Sequence, residues 1–183
     1  GVEPDGASSM KNSIEKGEIV SLESVDSFVD GASVRRIGDH TFKIVKEKVS
    51  EILTVSNGHI CHEMIELYQN EGIIAEPAGV LSICGLDKID PKYIINKKVV
   101  CILSGGNNDI MRYPEIVEKS LRYRQLQYYF IIDFKQTPGE LKRYVFDVLV
   151  DNTDITRFEY IKKNNKGQGS VLLGIQVETV VQI

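Results

Sequence analysis

The run Lys98-Val99-Val100-Cys101-Ile102-Leu103, followed directly by Ser104-Gly105-Gly106-Asn107, constrains the fold of this chain more than any other stretch. A short apolar segment between Asn96-Lys97 and a Ser-Gly-Gly turn predicts a buried strand. Ligands of open α/β sheets gather at the carboxyl ends of the strands. Ser104 therefore stands where a hydroxyl and closely approaching glycine backbone can meet a ligand. A Ser-Gly-Gly turn is also an ordinary strand exit. Glu76-Pro77-Ala78-Gly79 upstream, Asn107-Asn108-Asp109 beyond, and a second module after residue 126 give it more weight.

The 183-residue sequence supports one large domain or two small ones. Its 42% hydrophobic and 26% charged content is ordinary for a globular protein. The net charge of -4 lies entirely in residues 1–126, where 15 basic residues meet 19 acidic ones; residues 127–183 balance at seven each. No basic tract is present, so a nucleic-acid partner has no electrostatic support. No apolar run approaches the ~20 residues that span a bilayer, and no signal peptide opens the chain. Cys61, Cys84 and Cys101 are scattered without CxxC spacing, which fits reduced thiols in a cytoplasmic protein. His59 and His62, three apart on a predicted helix, lack companions at ligand spacing, so no metal site is expected there.

Residues 1–126 alternate short apolar runs with amphipathic stretches, the pattern of an α/β domain. Gly1-Val2-Glu3-Pro4 reads as the tail of a strand, an unusual beginning for a natural domain. A short helix is expected over residues 9–16, ended by Gly17. Ala32-Ser33-Val34 reads as a small strand or a helix start. Asp39 is expected to N-cap a helix with Phe42, Val45 and Val49 on one face. Ile52-Leu53-Thr54-Val55 is a strand, and Ser56 caps a helix that ends at Gly72. Pro77 suits the first turn of another helix running through Val80 and Ile83. Residues 112–124 form a polar helix or connector.

After residue 126 the pattern is β-α-β-β. Tyr128-Tyr129-Phe130-Ile131-Ile132 is a strand, and Leu141, Tyr144, Val145 and Val148 mark an amphipathic helix. Ile155 to Ile161 alternates at period two, as a half-exposed strand does. A loop from Lys163 to Gly169 joins it to Val171-Leu172-Leu173-Gly174-Ile175. These are four elements of a ferredoxin-like βαββαβ plan, whose last helix and strand are absent.

Taken in order, Gly1-Val2-Glu3-Pro4, Phe28-Val29-Asp30-Gly31, Glu76-Pro77-Ala78-Gly79 and Ser104-Gly105-Gly106-Asn107-Asn108-Asp109 closely resemble the biosynthetic threonine dehydratase family. In the second module Pro138-Gly139-Glu140-Leu141 and Asp154-Ile155-Thr156-Arg157-Phe158-Glu159-Tyr160, followed by Lys162-Lys163-Asn164-Asn165, extend the likeness over nearly the whole chain. The resemblance implies an α/β fold: part of a fold-type II pyridoxal phosphate enzyme domain over residues 1–126. An ACT-like regulatory α+β domain follows over residues 127–183, incomplete at its C-terminus.

The activity so implied is conversion of L-threonine to 2-oxobutanoate and ammonia, the entry to isoleucine synthesis, with isoleucine and valine as effectors and a homotetramer as the assembly. Ser104 matches the family serine that faces the cofactor's pyridine nitrogen. Gly105 and Gly106 keep Cβ atoms from the ring edge. Glu76 is placed near the cofactor, or else serves as a helix-start carboxylate. Related racemases hold a divalent cation through a residue like Glu3, but Ser9 stands where an acidic ligand belongs. The family's cofactor-holding lysine motif and glycine-rich phosphate loop do not occur in these residues, so no catalytic residue is assigned and the chain alone is expected to be inactive. Arg157, Glu159, Asn152 and Thr153 are candidate polar contacts for an effector, or plain surface. Two other readings remain: another fold-type II lyase, such as a serine dehydratase, and a non-catalytic amino-acid-binding module.

Overall fold

The computed structural model describes residues 1–149, 153–160 and 167–180, and the chain divides into two compact units, Gly1–Ser120 and Leu121–Ile183. In the first unit, β1 (Val2–Pro4) and β2 (Leu53–Val55) pair in parallel, Val2 opposite Leu53 and Pro4 opposite Val55. Parallel neighbours need a long crossover. Here it carries α1 (Ser9–Lys16) and α2 (Asp39–Lys48). Next comes α3 (Asn57–Glu66), whose N-cap Ser56 accepts a hydrogen bond from the His59 N–H. A single π-turn over Leu67–Glu71 prolongs it to Gly72, whose φ of 67° ends the helix in the left-handed region that glycine adopts without strain.

Ile60, Cys61 and Met64 turn one face of α3 into the core, against Phe28, Val29, Val55 and Val80. Beyond them lie α4 (Leu81–Cys84), a 3-10 turn (Leu86–Lys88) and α5 (Pro91–Ile94), which Asp90 caps by accepting from the Lys92 N–H. The residues expected as a polar helix or connector form a helix, α6 (Tyr113–Tyr123), and its Ile116 is fully buried in the same core.

Four expectations fail in this unit. Residues 98–103 form no strand, and Val100 and Ile102 are 86% and 70% exposed. Strand character is half of a ladder, and among the described residues no strand pairs with this segment to complete one; the Ser82 hydroxyl donates to the Ile102 carbonyl at 2.8 Å. Residues 77–80 are a turn, with helix only from Leu81, because the Gly79 N–H closes onto the Glu76 carbonyl at 2.9 Å. Residues 32–34 form neither strand nor helix. Gly38, not Asp39, is the N-cap of α2. The Asp39 carboxylate instead pairs with Arg36 at 3.1 Å, and that guanidinium holds its pKa below the usual carboxylate value.

In the second unit, β3 (Gln127–Lys135), α7 (Glu140–Asp147), β4 (Asp154–Tyr160) and β5 (Gln168–Gln176) follow the β-α-β-β order read from the sequence. The sheet is antiparallel with β5 central, in the order β3-β5-β4. Its buried face carries Phe134, Val171 and Leu173, and Tyr144 of α7 meets the Phe134 ring edge-on at 5.0 Å. Against the expected alternation, all seven residues of β4 are exposed, and the register slips by one residue between Ile155 and Arg157. An extra residue there bulges the strand and breaks its period of two. The expected loop from Lys163 falls mostly on residues 161–166, which lie outside the described residues, as does Asn152.

Candidate functional site

Three sequence motifs of the first unit, those at residues 28–31, 76–79 and 104–109, converge on one carboxylate. The Glu76 N–H donates to the Gly105 carbonyl at 3.0 Å, tying the turn after Ala75 to the loop after Leu103. A Cβ on Gly105 would collide with the Glu76 carboxylate, and one on Gly79 would collide with the Gly105 carbonyl. On the other side, a Cβ on Gly31 would lie 3.0 Å from Ala78 Cβ and 3.6 Å from Glu76 Oε1. The half-buried Glu76 side chain thus sits between two glycine backbones that come from far apart in the chain. It is not a helix-start carboxylate, since the residues after it form a turn.

Asn108 secures the same loop by donating from Nδ2 to the Ala75 carbonyl at 3.3 Å. Arg112 fixes the segment before Gly31: it donates to the Phe28 carbonyl at 2.8 Å, with its guanidinium 4.8 Å from the Phe28 ring centre. The Lys119 ammonium lies 4.9 Å from that ring, so α6 anchors the segment through attraction to the aromatic π-cloud. Ser104, at the head of this packed loop, is exposed.

Glu3 has a local role. Its two carboxylate oxygens accept the Met10 and Lys11 N–H groups at 2.9 and 2.8 Å, which satisfies the first turn of α1 and places an anion at its positive end. Of the histidines, His62 leans toward Glu66 at 3.9 Å, while His59 is 2% exposed and faces Glu63 and Asp87. The sequence reading paired the two histidines and missed these carboxylates. The four-residue spacing of His59 and Glu63 was visible, but only the packing of α4 on α3 brings in Asp87.

In the second unit, a groove of about 270 Å³ runs between β3 and α7. Ile132, Phe134, Tyr144 and Val148 form apolar walls, and Lys135, Arg143 and Asp147 stand at its edges. Arg143 pairs with Glu140 at 3.0 Å. Of the residues named as candidate effector contacts or plain surface, Arg157 donates to Glu159 of its own strand at 2.8 and 2.6 Å.

Residues 1–105 match the family model described as pyridoxal-phosphate dependent enzyme. The chain belongs to that family. Residues 118–182 match the model for the C-terminal regulatory domain of threonine dehydratase. Over 179 residues, 97% of its length, the chain is 48% identical to the biosynthetic L-threonine dehydratase IlvA of Corynebacterium glutamicum and 50% identical to that of Staphylococcus epidermidis. It spans only 41% and 42% of those relatives. Among solved structures, threonine deaminase isoform 2 of Solanum lycopersicum superposes with a TM-score of 0.59 at 32% identity, covering 66% of this chain and 35% of that one. Maize serine racemase gives 0.55 at 26% identity, covering 66% and 38%. The residues present are compatible with the family's cofactor: Ser104 is exposed, on a loop whose glycine backbone packs against Glu76 and Ile74.

Proposed function

We propose that this chain forms part of a threonine dehydratase that converts L-threonine to 2-oxobutanoate and ammonia under control of its C-terminal unit. The observation that carries the reading is the packing of the Ser104 loop on the Glu76 turn, within a chain that matches two family models in sequence order. Pyridoxal phosphate, when bound, supplies the electron sink that lets the α-proton and the β-hydroxyl leave the substrate. Ser104 would donate its O–H to the ring nitrogen. Because a hydroxyl is neutral, it need not protonate that nitrogen as a carboxylic acid would, which favours departure of the β-hydroxyl together with the α-proton. Gly105 and Gly106 would seat that serine, because a Cβ on either would strike the Glu76 carboxylate or the Ile74 carbonyl. The lysine that holds the cofactor and the loop that grips its phosphate would come from outside these 183 residues.

For control, the groove between β3 and α7 offers aliphatic and aromatic walls beside basic and acidic groups. That is the chemistry that holds an amino acid with a branched aliphatic side chain, as isoleucine and valine have. A cytoplasmic homotetramer is the assembly that accompanies this reading. The test is an assay of the complete gene product, following 2-oxo acid formation from L-threonine and from L-serine. Preference for threonine, inhibition by isoleucine and relief by valine are expected. A preference for serine, or the absence of cofactor absorbance in the purified protein, would overturn the proposal.

A further inference from the structure

His59, Glu63 and Asp87 meet where α4 and its following 3-10 turn pack on α3, apart from the Ser104 loop. His59 Nε2 lies 3.2 Å from Asp87 Oδ2 and 3.5 Å from Glu63 Oε1, and the three ligand atoms all fall within 4.8 Å of one another. Donors held about 2.0–2.2 Å from a metal stand roughly 3.0–3.5 Å apart in tetrahedral or octahedral shells, so two of the separations already match a coordination sphere. We propose that His59, Glu63 and Asp87 form a binding site for a divalent first-row transition-metal ion that fastens α3 to the turn after α4.

The burial is graded as such a site requires. His59 is 2% exposed, Glu63 21% and Asp87 70%, so a buried nitrogen anchors the ion while the carboxylate rim leaves it open to water. Two carboxylates with a neutral imidazole carry a charge of about -2, which a divalent cation balances. One imidazole nitrogen among oxygens favours zinc, manganese or cobalt over magnesium and calcium, which take oxygen alone. The plain alternative is a protonated His59 paired with two carboxylates and holding no metal.

The test is calorimetric titration of the chain with Zn²⁺, after stripping with a chelator, together with its thermal unfolding with and without Zn²⁺. Asp87→Asn alters an exposed side chain and leaves the packing of α3 intact, and Glu63→Gln provides a second variant. One bound Zn²⁺ per chain, a raised unfolding midpoint, and a dissociation constant weakened about tenfold or more in both variants are expected. Mg²⁺ should not substitute. Absence of saturable Zn²⁺ binding would overturn the site in favour of the ion pair. Equal binding by wild type and Asp87→Asn would overturn it too, by placing the ion elsewhere, for instance on the thiols.

Discussion

At the scale of single residues, Ser104 illustrates how little a side chain needs if its surroundings are built for it. The residue is exposed, and the backbone next to it is packed, where Gly105 abuts the Glu76 carboxylate. In the complete enzyme, Ser104→Ala should remove one hydrogen bond to the cofactor, worth about 0.5–1.5 kcal/mol, or a roughly two- to twelvefold rise in cofactor dissociation constant. Titration of the stripped enzyme with cofactor, read by absorbance, checks this. The thiols behave oppositely. Burial pushes Cys61 and Cys84 each up to about 12, so both should stay unalkylated at mild pH while the half-buried Cys101 reacts first. Because the unfolded thiol ionises near ~8.5, the unfolded state binds fewer protons than the folded state above that pH. Stability should therefore fall as pH rises from there toward 12, and Cys84→Ser should flatten that decline in denaturant melts collected across the range. The close approach of backbone at Gly79 and Gly105 could be read from the sequence, because short glycine-rich motifs advertise it. Asp87 could not, because nothing local to it announces a histidine on another helix.

At the scale of elements, several helices and strands follow local rules closely. The cap at Ser56, the left-handed stop at Gly72 and the alternation along β3 are all legible in the residues themselves. Residues 98–103 carry equally strong strand character and form none, since a strand needs a neighbour and local sequence cannot supply it. Among the described residues, no N–H from 98 to 104 donates to a backbone carbonyl. Amide hydrogen exchange should accordingly be fast over residues 98–104 and slow over the paired β3 and β5, where ladder bonds must open first. Mass-spectrometric exchange on the chain distinguishes the two; protection of residues 98–104 comparable to β5 would contradict this arrangement. The turn at 77–80 makes the same point in reverse. Pro77 permits a helix, but the carbonyl of Glu76 is taken by Gly79, and Glu76 and Gly79 are both held against Gly105.

At the scale of the whole molecule, two units divide near residue 120, while the family models meet between residues 105 and 118 and the sequence reading places the change at 126. The second unit has its own antiparallel sheet and a buried face around Phe134, Val171 and Leu173. A chain comprising residues 121–183 should therefore fold alone, giving antiparallel sheet by circular dichroism and one cooperative melt; a featureless spectrum would show that it depends on the remainder. The cap at Ser56, the stop at Gly72, the β-α-β-β order of the second unit and the family likeness were determined by the sequence alone, because each is written in the residues of the segments themselves. Tertiary structure decided which strand found a partner, that Glu76 lies between the backbones of Gly31 and Gly105, and that His59 meets Asp87. Those outcomes depend on segments tens of residues apart arriving at one place, and packing alone supplies that information.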